Sequence, residues 1–172
     1  MPQAFSGSPS PLGSGSPQRG QGGPLNLYAE TSAVVAWWLG EVRAADVQNP
    51  LAAAEVVITS ELTLVECERV LARASALKEI GEAEVSDRRA WLRGAVSKWS
   101  VIRLDAGILE RAKRTFPEEP LRTLDALHLA SALSARSSAP GLVILSLDER
   151  VRRNAKSLGF ALLPAARRGS KS

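Results

Sequence analysis

The order of apolar and polar positions predicts a chain that alternates between short strands and helices. Short runs rich in β-branched residues are typical of buried parallel strands, and they occur at 25–29, 56–59, 101–104, 142–146 and 160–163. Between them, apolar residues recur with helical spacing at 32–39, 60–73, 82–98, 106–116, 123–135 and 148–158. This alternation predicts a single α/β domain at 25–164, with a parallel sheet covered by helices on both faces.

Helix boundaries are marked by capping and breaking residues. Hydroxyl and carboxylate side chains satisfy the free N–H groups of a first turn, and the predicted N-caps of three helical segments are Ser60, Asp105 and Thr123. Proline and glycine stop helices, and the expected stops are Pro117, Pro140 and Gly159.

The two ends of the chain differ in composition from the domain. Residues 1–24 hold six Gly, five Pro and five Ser, which predicts a disordered leader. The net charge of +4 does not describe the domain, because 25–164 carries 18 Lys and Arg against 18 Asp and Glu. The excess lies in Arg19 and in a basic tail at 165–172, for which we predict flexibility. The pI therefore gives no evidence of a basic face on the folded part.

Composition also limits the compartment and the kinds of site. One cysteine, Cys67, excludes an internal disulfide and, with the single histidine, a Cys/His zinc site. No stretch reaches the roughly 18 apolar residues of a membrane span. A reducing cytoplasm is the expected location, and no membrane is expected as a partner.

Two carboxylates lie at or just beyond the ends of predicted strands. Glu30 ends the first strand, and Asp148 lies two residues beyond Ser146 at the end of the fourth. Ligands bind to open parallel sheets in the crevice beyond the carboxyl ends of the strands. Both acids should therefore point into that crevice.

Two further carboxylates lie on stripes that are otherwise apolar. Glu66 is in line with Leu62, four residues earlier, and Asp125 is in line with Leu129, four residues later. A carboxylate on an inward stripe must be paired, hydrogen-bonded, protonated or bound to a metal.

Each acid also has a purely structural explanation. Glu30 and Asp148 could cap helices, Asp125 could occupy a first helical turn, and Glu66 could pair with Arg69 or Arg73. Together, however, the four acids should face one cleft, where two unit charges 4 Å apart repel by about 4 kcal/mol at an effective dielectric of 20. A cation would relieve this repulsion, and oxygen ligands select Mg²⁺ first and Mn²⁺ second.

At this point the motifs carry a resemblance. The segments Glu30-Thr31-Ser32-Ala33, Thr59-Ser60-Glu61 leading to Glu66, Leu124-Asp125-Ala126-Leu127-His128, and Ser146-Leu147-Asp148-Glu149-Arg150 resemble the ordered motifs of the PIN-domain nucleases. Within that family, the motifs are similar to those of the VapC-type toxins of bacterial toxin–antitoxin modules. The resemblance implies a three-layer αβα sandwich, Mg²⁺-dependent endoribonuclease activity, a homodimer, and inhibition by a small antitoxin protein.

The resemblance also implies roles for individual residues. Glu30, Asp125 and Asp148 would hold the metal, and Glu66 would complete the catalytic acids. Either Glu66 or Asp148 would orient water or take its proton. Hydroxyls would bind a phosphate oxygen or a metal-bound water, and these are Thr31, Ser32 and Ser146. The family usually has Asp where this chain has Glu30. That departure motivates a rival interpretation, a catalytically weak PIN-fold module that engages RNA or an antitoxin-like protein.

Three other side chains receive structural roles. We expect His128 to be a hydrogen-bonded packing residue rather than a base, and Cys67 to fill the core. Trp37 and Trp38 project about 100° apart from one helix, so we hypothesise that one of them helps form a dimer or antitoxin surface. Core packing alone is the rival. Trp91 and Trp99 should be ordinary packing residues.

Overall fold

The computed structural model of the protein describes residues 23–165. Its five strands are all parallel and form one sheet in the order β3-β2-β1-β4-β5. They are β1 (Asn26–Ala29), β2 (Val56–Ser60), β3 (Ser100–Ile102), β4 (Val143–Leu145) and β5 (Ala161–Leu163). All five predicted strands are confirmed. The predicted leader and tail, apart from residues 23, 24 and 165, lie outside the described residues.

Seven helices connect the strands of the described domain. They are α1 (Thr31–Leu39), α2 (Ala44–Ala53), α3 (Glu61–Ala76), α4 (Glu82–Val96), α5 (Ala106–Ala112), α6 (Thr123–Arg136) and α7 (Glu149–Ser157). Six match predicted segments, although α5 ends four residues before the predicted end. The sequence did not predict α2, because Pro50 lies inside it and only Val47 and Leu51 are buried. One short apolar stripe with an internal proline does not distinguish a helix from a loop.

The predicted N-caps are confirmed at two of three positions. The Ser60 hydroxyl accepts from the Leu62 amide at 3.2 Å, and the Asp105 carboxylate accepts from the Ile108 amide at 2.9 Å. The third is wrong: Arg122 is the N-cap of α6, and its side chain makes no capping hydrogen bond, whereas Thr123 is the first helical residue.

Alternation along the central strands divides the core into two layers. Tyr28, Ile58 and Ile144 are in register and face α5, α6 and α7. Leu27 and Val57 point the opposite way, into the core built with α1 to α4. The sheet therefore has helices on both faces, and the predicted three-layer αβα sandwich is confirmed.

The partner surface predicted for one of the two tryptophans of α1 is wrong. Trp37 and Trp38 are 7% and 0% exposed within the single chain. Trp37 packs against Trp91, with ring centroids 4.3 Å apart, while the Trp38 indole N–H donates to the Arg88 carbonyl of α4 at 3.0 Å. Helix α2, which the sequence did not predict, and residues of α4 cover the sides of α1 that do not face the sheet.

Cys67 and the remaining tryptophans behave as the sequence predicts. Cys67 is fully buried in the α1–α4 core, and burial, with the nearby acids Glu66, Glu68 and Glu30, raises the pKa of its thiol to about 12. Trp91 and Trp99 are partly buried against the same core. None of the helices within 23–165 is long and apolar enough to cross a bilayer.

Candidate active site

The sheet has one point at which the chain order reverses, between β1 and β4. From β1 the chain moves outward to β2 and β3, and it then returns to the other side of β1 to form β4 and β5. A crevice opens at such a switch point, beyond the carboxyl ends of the two strands. Glu30 and Ser146 are the first residues after β1 and β4, and the Glu30 amide donates to the Leu145 carbonyl at 3.0 Å.

Glu30 is a buried carboxylate, 5% exposed, held by three donors. The Ser32 amide donates to Oε1 at 3.1 Å, and Oε2 accepts from the Ser146 hydroxyl at 2.8 Å and from the Ser32 hydroxyl. Because Glu30 is also the N-cap of α1, its capping role and its place in the crevice coexist.

The Ser32 hydroxyl joins α1 to the segment after β4. It accepts from the Leu147 amide at 2.8 Å and from the Asp148 amide at 3.1 Å, and the same Asp148 amide lies 3.1 Å from the Ser146 hydroxyl. These bonds fix the backbone that carries Asp148. In this geometry both hydroxyls position acids; their predicted contact with substrate stays a prediction.

Asp148 caps α7, as its structural explanation required. Its Oδ1 accepts from the amides of Arg150 at 2.8 Å and Val151 at 3.2 Å. Behind it, the buried guanidinium of Arg152 donates to the carbonyls of Ser146 at 2.8 Å and Pro164 at 2.8 Å. The sequence did not predict this brace, because Arg152 lies in a charged run typical of a solvated helix face.

Glu66 is not paired with Arg69 or Arg73. Its Oε2 lies 2.8 Å from His128 Nε2 and accepts a hydrogen bond from the Thr31 hydroxyl. Burial favours the neutral form of Glu66, but the hydrogen bonds from His128 and Thr31 outweigh it, so the pKa of Glu66 lies below its usual value. Glu66 is therefore held as a carboxylate.

Asp125 has the opposite environment. It lies in the first turn of α6, and its Oδ2 is buried without a hydrogen-bond partner among residues 23–165. Burial raises its pKa, as do the negative charges of Asp148 and Glu30, while Arg122 and Arg150 oppose the shift. Asp148 and Glu30 are thus close enough to Asp125 to disfavour its charged form; that all four acids share one cleft stays a prediction.

The chemistry of the acids fits a hard divalent cation, although their side chains are not already arranged around one point. Within the described residues, no three His, Cys, Asp or Glu side chains are gathered into a ready-made metal-binding group. The available donors are all oxygen atoms, which suits Mg²⁺ or Mn²⁺. The unpaired oxygen of Asp125 and the repulsion that raises its pKa are both features that a cation would relieve.

Sequence reasoning missed the polar layer beneath the acids. Tyr28 OH lies 3.1 Å from His128 Nδ1, and the Thr59 hydroxyl donates to the Ala29 carbonyl at 2.7 Å and lies 2.9 Å from the Thr63 hydroxyl, which can donate to it. Thr59 and Thr63 are fully buried. Polar residues at inward positions of a strand and a helix were the available signal. His128 is a hydrogen-bonded, buried residue, as predicted.

Comparisons with known proteins identify the family of the chain. The family model described as PIN domain matches residues 27–157, so the chain belongs to the PIN-domain family. Within that family it is similar to VapC-type proteins. Ribonuclease VapC46 of Mycobacterium tuberculosis is 37% identical over 54% of this chain and 68% of its own length. Ribonuclease VapC35 of the same organism is 30% identical over 80% of this chain and 95% of its own.

A solved structure supports the fold. The DNA-bound VapBC from Salmonella typhimurium superposes with a TM-score of 0.50 at 16% identity, covering 80% of this chain and 96% of that one. At that identity the likeness concerns the fold alone.

Proposed function

We propose that this protein is a Mg²⁺-dependent endoribonuclease, the toxin of a type II toxin–antitoxin system. The observation that carries the proposal is the unpaired, buried carboxylate oxygen of Asp125, whose pKa is raised by burial and by Asp148 and Glu30 at the switch-point crevice. The relatives named Ribonuclease VapC support the substrate class.

The residues divide into metal-holding and water-handling groups. Glu30, Asp125 and Asp148 would hold the cation, which supplies Lewis-acid polarisation of the scissile phosphate and acidifies water. Glu66, kept ionised by its hydrogen bonds, is the group available to orient the attacking water or accept its proton. Thr31 holds Glu66, and Ser32 and Ser146 hold the carboxylate of Glu30. The three hydroxyls are also close enough to the acids to contact a bound phosphate.

Total RNA incubated with the purified protein tests the proposal. We expect cleavage with Mg²⁺, weaker or equal cleavage with Mn²⁺, and none with EDTA. A pattern independent of the metal and unchanged in Asp125→Asn would show a contaminating nuclease and overturn the proposal. RNA binding without metal-dependent cleavage would instead favour the binding-module interpretation.

Glu30 can be tested by changing its length and its charge separately. Because the Glu carboxylate is seated by Ser32 and Ser146, Glu30→Asp withdraws it from these donors and should reduce cleavage by about 10- to 100-fold. Glu30→Gln, which removes the charge, should reduce it further. Initial rates on a labelled RNA oligonucleotide measure both. An Asp variant more active than the wild type would show that Glu30 weakens the enzyme.

Among the described residues, the positive charges of Arg122 and Arg150 oppose the rise in the pKa of Asp125. Arg122 is exposed at the start of α6, and Arg150 is half-buried in the first turn of α7. We expect them to contact RNA phosphates, so Arg122→Gln with Arg150→Gln should weaken RNA binding and lower the salt dependence of the affinity. Fluorescence anisotropy at several salt concentrations measures the affinity for RNA. All proteins compared carry Asp125→Asn, which prevents cleavage. An unchanged salt slope contradicts it.

The proposed partners follow from the same family. A small antitoxin encoded beside the gene should co-purify with the protein and suppress cleavage, and both should act in the cytoplasm. A homodimer is expected, and light scattering on the purified protein measures the mass. A gene neighbourhood without a small open reading frame, together with no growth arrest on induction, would argue against a toxin.

A further inference from the structure

His128 lies at the junction of three elements that carry the candidate site. It is on α6, one turn after Asp125, and is only 2% exposed. Its Nε2 lies 2.8 Å from Glu66 Oε2 on α3 and 2.9 Å from the Thr31 hydroxyl on α1. Its Nδ1 lies 3.1 Å from Tyr28 OH on β1. Each ring nitrogen therefore has a defined partner.

The direction of the bond to Glu66 does not depend on the charge of the ring. An ionised carboxylate only accepts hydrogen bonds, and the pKa of Glu66 is lowered, against the effect of burial, by its bonds to His128 and Thr31. Nε2 must then carry the proton that it shares with Glu66. Tyr28 can serve the neutral ring by donating to Nδ1, because burial strongly raises the pKa of its hydroxyl and keeps it protonated.

We infer that His128 is a positioning residue for the RNA-cleaving reaction. It orients the carboxylate of Glu66 from the buried side of the site. This inference rests on the proposed function. Glu66 is 24% exposed at its side chain, so part of it faces solvent, while His128 lies behind it at 2%. With Thr31, the imidazole holds Oε2 of Glu66 and leaves Oε1 to face an attacking water. Partners of this kind change activity by about 10- to 100-fold at metal sites.

Steady-state kinetics of His128 variants, alone and combined with Glu66→Gln, test this role. His128→Leu fills space without a donor, and we expect kcat to fall about 10- to 100-fold with KM within about twofold of the wild type. His128→Gln restores an N–H donor near Nε2 and should recover most of kcat. In a Glu66→Gln background, His128→Leu should reduce kcat by a further factor of about two or less, because the two residues act as one unit. Leu129→Val, a buried substitution on the same helix, is the control for loss of packing.

A spectroscopic measurement tests the contact without cleavage. His128 is the only histidine in the chain, so an untagged, ¹⁵N-labelled protein gives a single imidazole pattern in long-range ¹H–¹⁵N correlation spectra. We expect a protonated Nε2 whose proton exchanges slowly, with resonances that shift in Glu66→Gln. The control Glu68→Gln, whose exposed carboxylate pairs with Arg89 at 2.7 Å, should leave the pattern unchanged.

The two hypotheses fail in different ways. A wild-type protein that does not cleave RNA overturns the proposed function and, with it, the catalytic consequence of His128. In a protein that does cleave, an imidazole pattern insensitive to Glu66→Gln overturns the inference alone. Equal losses from His128→Leu in both backgrounds, or no recovery in His128→Gln, also overturn it.

Discussion

Asp125→Asn is expected to reduce metal-dependent RNA cleavage by about 100-fold or more, a loss of roughly 3 kcal/mol of transition-state stabilisation. The amide is nearly the same size as the carboxylate, but it removes one of the charges that would hold the cation. It also presents N–H donors where the wild-type Oδ2 is buried and unpaired. Single-turnover rates on an RNA oligonucleotide measure the loss.

The same substitution should not destabilise the metal-free protein. The raised pKa of Asp125 means that its charged form is disfavoured in the folded state, by burial and by Asp148 and Glu30. Removing that charge should leave Tm in EDTA unchanged or higher. Magnesium should raise Tm of the wild type, by an amount corresponding to about 2.7 kcal/mol at 100 times Kd, and should not raise that of the variant.

Asp105→Asn is the matched control for this prediction. Asp105 is an exposed acid that caps α5, through its bond to the Ile108 amide at 2.9 Å. Asparagine is also a good N-cap, so both cleavage and Tm should stay at wild-type values. If Asp125→Asn retained full cleavage, or lowered Tm in EDTA by several degrees, Asp125 would be a structural residue and not a metal ligand.

The sequence predicted the sheet and the crevice because both depend on local patterns. Short apolar strands alternating with helices leave little choice of architecture, and acids that follow strands lie at the strand ends. Glu30 and Asp148 are found there. The caps at Ser60 and Asp105 were predictable for the same reason, since a capping bond joins residues two or three positions apart.

Contacts between distant segments were not predictable in this way. The partner assigned to Glu66 from helical spacing was Arg69 or Arg73, but the actual partner, His128, is 62 positions away. Periodicity places a side chain on a face of its own helix and does not identify what covers that face. For the same reason the interpretation of α1 was wrong: α2 and α4 cover its outer side, and the apolar pattern of α1 does not identify them.

Trp38→Ala is expected to destabilise the protein by about 3 to 5 kcal/mol, the usual range for truncating a buried Trp. This is a large fraction of the 5–15 kcal/mol of a typical domain. Trp38 is fully buried, and its indole donates to the Arg88 carbonyl at 3.0 Å, while the Arg88 guanidinium donates to the Trp38 carbonyl at 2.9 Å. These reciprocal bonds join α1 to α4, so truncation leaves a cavity and removes one of the two bonds between the helices.

Two variants divide this effect into its parts. Trp38→Phe keeps most of the ring but loses the indole N–H, and should cost about 1 kcal/mol for the hydrogen bond plus a smaller packing loss. Val42→Ala, at a site 95% exposed, should change stability by less than about 0.5 kcal/mol. Urea unfolding followed by circular dichroism measures all three without relying on tryptophan emission. A loss below about 1 kcal/mol for Trp38→Ala would mean that α4 does not cover α1. The hypothesis that a tryptophan of α1 forms a partner surface would then be open again.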